Sequence, residues 1–378
     1  MCRPMNYPKI DPNATFSLRK IIHEMSPISF DKHMDLCLYH PDLGYYAQVP
    51  TQVGKDGDFF TSVSCGPLFG QIIADVIARW WKNAHIAGPW RIIEIGPNNA
   101  ALAIDVLDSL ALDHPDAWHE LEFCCIDPLP LPRAFQEKML ASYGPKVRCL
   151  ENVDSLAELP TFVYANEVLD AFPCHLIEKT AEGWKEVTIH SIAQDTPLEE
   201  RLTDSIASIP SLLQNCEYPL GYRTEIRDCS LSFWQKLRSC ISFGELLWFD
   251  YGFAEPEYYA AERSRGTLRV YQQHQASDNP LENLGQCDIT AHVNFTAVAR
   301  EAIAAGCTLK GFEPQEFFLT KNAADRLTRR DLDAKTLRNF QTLTHPAHLG
   351  GKFHALHFSI GDSAEHKSTA KRRLVLES

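Results

Sequence analysis

No stretch of this 378-residue chain approaches the roughly 18 apolar residues that a membrane-spanning helix needs. The longest candidate, residues 241–249, is interrupted by Gly244 and Glu245, so no membrane insertion is expected. Residues 1–17 hold no apolar run that could serve as a signal peptide, and a cytoplasmic protein is expected. Positive charge is scarce: 36 Lys and Arg stand against 49 Asp and Glu, for a net charge of −13. An overall basic footprint for nucleic acid is excluded, whereas a basic protein partner would suit the balance. The 12 cysteines include no C-x-x-C pair, and a chain of this length has core enough to need no disulfide framework. Cys124 and Cys125 are neighbours in an apolar run, where strand side chains alternate between faces. Most of the cysteines are expected as small buried hydrophobes. His345, His348, His354 and His357 form the one histidine cluster, but 352–359 reads as a strand. An offset of three sends His354 and His357 to opposite faces, so no metal is expected. Internal repeats and low-complexity tracts are absent.

What is present is an alternation of short apolar runs with helical periods, beginning after Gly88-Pro89. Strands are expected at 90–95, 121–126, 147–150, 161–165, 245–249, 307–312 and 353–359. Helices fall between them; one at 295–305 carries Phe295, Val298, Ala299, Ala302 and Ile303 on one face, with Asn294 to cap it and Gly306 to end it. This order implies an α/β fold, a mostly parallel seven-stranded sheet with helices on both faces. Residues 1–87 form an N-terminal helical and lid region, including helices at 16–25, 30–38 and 68–81. Residues 88–362 form a Rossmann-like domain with insertions at about 172–229 and 254–289. Both insertions follow carboxyl ends of strands, where open α/β sheets bind ligands. A charged tail, 363–378, is expected to fray.

The chemistry concentrates at the strand ends. Gly96-Pro97 follows the first strand and permits a tight turn. Asp127 ends the second, where a carboxylate can accept hydrogen bonds from both hydroxyls of a ribose. Asn166 and Glu167 end the fourth. The ordered set points to a nucleoside-containing cofactor. A dinucleotide would call for G-x-G-x-x-G, to seat a pyrophosphate on a helix N-terminus; residues 96–101 read Gly-Pro-Asn-Asn-Ala-Ala, with one glycine.

Longer segments carry a resemblance. His40-Pro41 with Gly44-Tyr45-Tyr46, Gly57-Asp58-Phe59-Phe60-Thr61-Ser62, the run Ala165-Asn166-Glu167 to Asp170-Ala171-Phe172-Pro173, Asp250-Tyr251-Gly252, Gly266-Thr267-Leu268-Arg269, and Asp288-Ile289-Thr290-Ala291-His292 are similar, in order, to motifs of the MidA-like methyltransferases. The matches run from about residue 30 to 320. The resemblance implies a Rossmann-like class I methyltransferase fold, S-adenosylmethionine as cofactor, and transfer to a protein side chain. A mitochondrial member of that family acts on an arginine of a respiratory complex I subunit, so a protein substrate, of the respiratory-complex type, is the implied partner. Cofactor contacts are then expected from Asp58, Thr61, Ser62, Glu94, Gly96, Pro97, Asn98, Asp127 and Asn166. Glu167, Asp170 and His292 are the expected catalytic groups, with Asp250 and Tyr251 on the substrate side. Asp58, Thr61 and Ser62 are also expected to form a lid. Asn98 and Ala100 stand where the family loop has glycines. Asn tolerates a left-handed turn better than other side chains, and Ala100 adds one methyl. That departure supports a second reading, a degenerate relative acting as a binding or assembly factor.

Overall fold

The computed structural model describes residues 13–47, 61–194, 196–204, 208–227, 230–272, 275–277, 279–328, 333–361 and 368–376. Its central sheet is built from β1 (Trp90–Ile95), β2 (Leu121–Ile126), β3 (Val147–Leu150), β4 (Leu159–Asn166), β5 (Ile241–Phe253), β6 (Thr308–Pro314) and β7 (Phe353–Ile360). Their order is β6-β7-β5-β4-β1-β2-β3. β1 to β5 pair in parallel, and β7 runs antiparallel to both β5 and β6. A two-residue strand, Val293–Asn294, pairs with the end of β5 as an eighth member.

Both faces of this sheet are covered, which is why its strands read as continuous apolar runs rather than alternating ones. On one side lie the helices Leu68–Asn83 and Ala101–Asp113, contributing Phe69, Ile73, Ile77, Val106 and Leu110. Gly70 lets these two helices meet, since a Cβ there would sit 2.5 Å from Asp105 Cβ. On the other lie Ser230–Ser239 and Phe295–Ala304. Cys125 packs into the first layer and Cys124 into the second, as alternation along β2 requires. Asn294 caps its helix through a 3.1 Å bond from Ala297 N–H.

The inserted segments build separate antiparallel sheets. His175–Thr180, Gly183–His190, Glu199–Thr203 and Arg223–Ile226 form one, joined by Ile28–Ser29. Arg269–Gln272, Gln275–Ser277 and Asp288–Thr290 form another. The helices Ala14–Met25 and Phe30–Tyr39 pack onto both: Leu18, Ile22, Phe30 and Met34 share an apolar cluster with Leu176, Val187, Val270 and Ile289. Each such side chain, fully buried, contributes about 1.5–3 kcal/mol of transfer free energy.

Two expectations need correction. The fifth strand does not stop at Phe249. It continues to Phe253, because Asp250 spends its carboxylate on neighbouring backbone and Gly252 lies flat against Val293. The end of the chain is not a frayed tail throughout: Ser368–Arg373 is helical, and Ala370 and Leu374 are buried against the second layer. Its charges mask that apolar stripe. His354 stacks on Phe312 at 4.9 Å, while His357 hydrogen-bonds Glu245 at 3.0 Å.

Candidate active site

The sheet reverses direction of winding between β1 and β4, and the carboxyl ends of these strands open the crevice where such folds bind ligands. β1 ends in a loop with three left-handed residues: Gly96 at φ +63°, Asn98 at φ +47° and Ala100 at φ +63°. The positions that depart from glycine therefore keep the backbone that glycine would adopt. A 2.7 Å bond from Ala100 N–H to Pro97 O closes the turn, and Asn99 Oδ1 accepts from Ala101 N–H at the start of the next helix. Pro97 and Ala100 are buried; Asn98 is exposed. Glu94, expected as a cofactor contact, is buried inside β1 and receives the Tyr164 hydroxyl at 2.9 Å. Burial pushes its carboxyl up to about 8.

Asp127 follows β2 and is buried. Its Oδ1 accepts from Leu129 N–H at 3.0 Å, and its Oδ2 from Gln136 Nε2 at 2.8 Å. The same amide nitrogen donates to Asn98 O at 3.0 Å. One side chain thus ties the loop after β1 to the acid after β2. Burial lifts the Asp127 carboxyl, against the hydrogen bonds from Leu129 and Gln136.

β4 delivers the acids. Glu167 sits at φ +53°, a left-handed conformation that costs a non-glycine residue roughly 1–2 kcal/mol. Asp250 holds the strain: its Oδ2 accepts from the N–H groups of Val168, Leu169 and Asp170 at 2.9–3.3 Å, and its Oδ1 from Tyr251 N–H at 2.9 Å. Glu167 bonds Asn166 Nδ2 at 3.0 Å, and the Ser62 main chain also bonds it. Burial, with Asp170 nearby, pushes Glu167 up to about 8. Asp170 receives the Tyr251 hydroxyl on Oδ2 and leaves a buried Oδ1 without a partner. Burial raises the Asp170 carboxyl, and the Tyr251 hydrogen bond and Arg227 oppose it.

The inserted sheets and N-terminal helices pack against the end of β4. Tyr46 donates to Asp288 Oδ1 at 2.7 Å, and Tyr39 to Ala171 O at 3.1 Å. The rings of Tyr39 and Tyr46 lie 5.4 Å apart, and Asp288 and Asp170 both act on the two phenols. His292 stacks on Phe253 at 5.2 Å and meets Tyr251 edge-on at 5.0 Å. Burial lowers its imidazole to about 4, and its Nδ1 is buried without a partner. Arg227 braces this wall from behind, donating to the carbonyls of Phe172, His292, Asp170 and Ala291 at 2.8–3.0 Å.

Of the expected residues, Asn166, Glu167, Asp170 and Ser62 come together, and Tyr251 joins Asp170 to His292. Ser62 is buried and donates to Gln315 Oε1 at 3.1 Å, so it belongs to the wall of the site. Thr61 opens the 3-10 turn Ser62–Cys65 through reciprocal bonds with Ser64. Asp58 lies outside the described residues. Sequence reasoning assigned no role to Gln136, Arg227, Asp288 or the paired tyrosines. Asp288 and Tyr46 did fall inside motifs; Gln136 and Arg227 gave no local signal.

Among the described residues, Asp31, His175 and Glu186 could offer three ligand atoms to a metal. His175 Nδ1 is already hydrogen-bonded to Glu186 Oε1 at 2.7 Å.

Comparison with known proteins gives the family and the fold. Residues 72–313 match the family described as "Putative S-adenosyl-L-methionine-dependent methyltransferase". The Drosophila melanogaster protein arginine methyltransferase NDUFAF7 homolog, mitochondrial, is 27% identical over 92% of this chain and 85% of that protein. The Rattus norvegicus protein arginine methyltransferase NDUFAF7, mitochondrial, is 23% identical over the same shares. A crystal structure of a superfamily member from Burkholderia thailandensis, bound to S-adenosyl-homocysteine, superposes with a TM-score of 0.82 at 28% identity, covering 96% of this chain and 97% of that one. The expectation of a cytoplasmic protein is corrected by these relatives, which are mitochondrial proteins.

Proposed function

Since the chain belongs to this family of S-adenosyl-L-methionine-dependent methyltransferases, we propose that it methylates an arginine side chain of a protein substrate. The observation that carries the reading is the acid and aromatic cluster beside the cofactor loop: Glu167, Asp170 and Asp288 with Tyr39, Tyr46 and Tyr251. A guanidinium is planar, cationic and rich in donors, so it pairs with carboxylates and stacks on aromatic faces.

The residues present fit the cofactor. Gly96, Asn98 and Ala100 make a turn in which two side chains accept a glycine-like backbone, and Asp127 has lone pairs left for ribose hydroxyls. Buried oxygens of Gln136 and Asn166 lack protein partners and can accept from a polar ligand. The preserved turn favours the enzyme over the degenerate binding factor. When bound, S-adenosylmethionine supplies an electrophilic methyl on a sulfonium centre. Glu94, kept inside β1, acts as a support rather than a contact.

Glu167 and Asp170 orient the guanidinium for in-line attack. An arriving cation favours their ionised forms, so substrate binding drives protons off two carboxyls that burial had raised. His292, held neutral near physiological pH by burial, offers Nδ1 as acceptor for the proton that the guanidinium sheds. Thr61 and Ser62 wall the cofactor side, with Ser62 fixing Glu167.

The test is direct. The protein is incubated with methyl-labelled S-adenosylmethionine and mitochondrial protein extract, with respiratory-complex subunits as first candidates. Label should appear on arginine by fragmentation mass spectrometry, and Asp170→Asn should abolish it. Label confined to lysine or to small molecules would sink the arginine assignment.

A further inference from the structure

Gln136 stands on the helix Pro130–Met139 and is fully buried. Its Nε2 donates to Asn98 O at 3.0 Å and to Asp127 Oδ2 at 2.8 Å. Two acceptors on one side settle which end of the amide carries nitrogen, because reversal would set oxygen against oxygen twice. The amide oxygen, Oε1, is then left buried without a partner. A buried acceptor of this kind is costly unless a donor reaches it. Amide geometry holds Oε1 about 2.2 Å from Nε2, and so within about 5 Å of Asp127 Oδ2. That separation is one a vicinal diol can bridge, with one hydroxyl on each acceptor.

We propose, resting on the methyltransferase reading, that Gln136 is a second ribose-binding residue: its Oε1 accepts from one ribose hydroxyl while Asp127 accepts from the other. Its Nε2 meanwhile locks the loop after β1 to the strand end after β2, so cofactor binding and loop geometry depend on one side chain. The arrangement selects ribose over deoxyribose at both hydroxyls. Both oxygens of Asp127 already accept a protein donor, from Leu129 N–H and Gln136 Nε2, so the carboxylate is left to hold one hydroxyl and Gln136 the other.

Calorimetry with S-adenosylhomocysteine and its 2′-deoxy and 3′-deoxy analogues tests this on the full chain, wild type and Gln136→Leu, with Gln136→Met as a closer match in shape. In the wild type each analogue should bind about tenfold more weakly than the parent, as loss of about 1.4 kcal/mol predicts. In either variant the parent ligand should weaken by at least that much. The affinity for one of the two deoxy analogues should weaken far less, since its missing hydroxyl is the one Gln136 accepts. An equal penalty for all three ligands would leave Gln136 a structural tie and overturn the proposal. Should neither variant fold, the wild type decides: equal affinity for all three ligands overturns it. Absence of any binding by the wild type would instead remove the methyltransferase reading, and this inference with it.

Discussion

Replacing Gly96 by Ala would place a side chain where both the backbone and a neighbour resist it. Gly96 sits at φ +63°, and an added Cβ would lie 2.8 Å from Val168 Cγ2. The left-handed conformation costs an L-residue about 1–2 kcal/mol. Pushing the branched end of Val168 aside adds about 1–3 kcal/mol of overpacking. Reduced freedom of the unfolded chain returns about 0.4–1 kcal/mol. The net loss is about 1–5 kcal/mol. With about 2.1 cal/mol/K of unfolding entropy per residue, a chain of this length should lose about 1–6 °C in Tm. Differential scanning calorimetry of wild type, Gly96→Ala, Val168→Ala and the double variant separates the two causes. Val168→Ala removes the clash but not the backbone cost, so the double variant should recover about 1–3 kcal/mol relative to additivity. Ala100, buried at the same φ, already shows that the backbone cost alone is bearable. Val168 follows Glu167 directly, so its displacement should also weaken S-adenosylhomocysteine binding. A Gly96→Ala protein within about 0.5 kcal/mol of wild type, or strictly additive variants, would refute this account of the turn.

Three further outcomes are expected. Tyr251→Phe removes a hydrogen bond that lowers the Asp170 carboxyl; the group titrates higher, and the acid limb of kcat/KM moves to higher pH, whereas an unmoved limb would exclude Asp170 as the ionised group. Glu94 is raised from 4.5 to about 8 in the native state, so its contribution is full below about 4.5 and is lost as pH rises through 8. Glu94→Gln mimics the protonated acid, and its stability relative to wild type should grow by a few kcal/mol between pH 5 and 8.5; parallel melting curves across that range would contradict the assignment. Arg227→Ala strips four carbonyls of their donor, and should cost at least about 2 kcal/mol in urea denaturation together with a fall in kcat; a stable, fully active variant would show that the wall behind Asp170 needs no brace.

The strand ends were legible because two simple signals coincide there. An apolar run stops, and a residue that cannot be buried cheaply follows it: Gly96, Asp127 and Asn166-Glu167 each obey this. The seven strands and their mostly parallel order followed from the same alternation, with β7 the antiparallel member. β5 was misjudged where that logic fails, since Asp250 remains in the strand by serving the turn after β4. The tail was misjudged for the opposite reason, with basic residues concealing Ala370 and Leu374. Partners far apart in the chain leave no periodic trace. Tyr46 and Asp288 are 242 residues apart, and Arg227 reaches carbonyls, which any residue could supply. Gln136 is a polar residue on a helix until the fold turns it inward. The loop after β1 carries the more general point. Its left-handed positions at 96, 98 and 100 are imposed by the path from strand to helix, not chosen by the residues that occupy them. Glycine makes that path cheap, and Asn98 and Ala100 make it dearer by about a kilocalorie each. Loss of a glycine signature therefore measures the strain a site bears, and decides its function only where a new side chain enters the ligand's space. Ala100 is buried and the exposed Asn98 gives its carbonyl to Gln136, so both substitutions leave the crevice at the carboxyl ends of β1 and β4 with its shape.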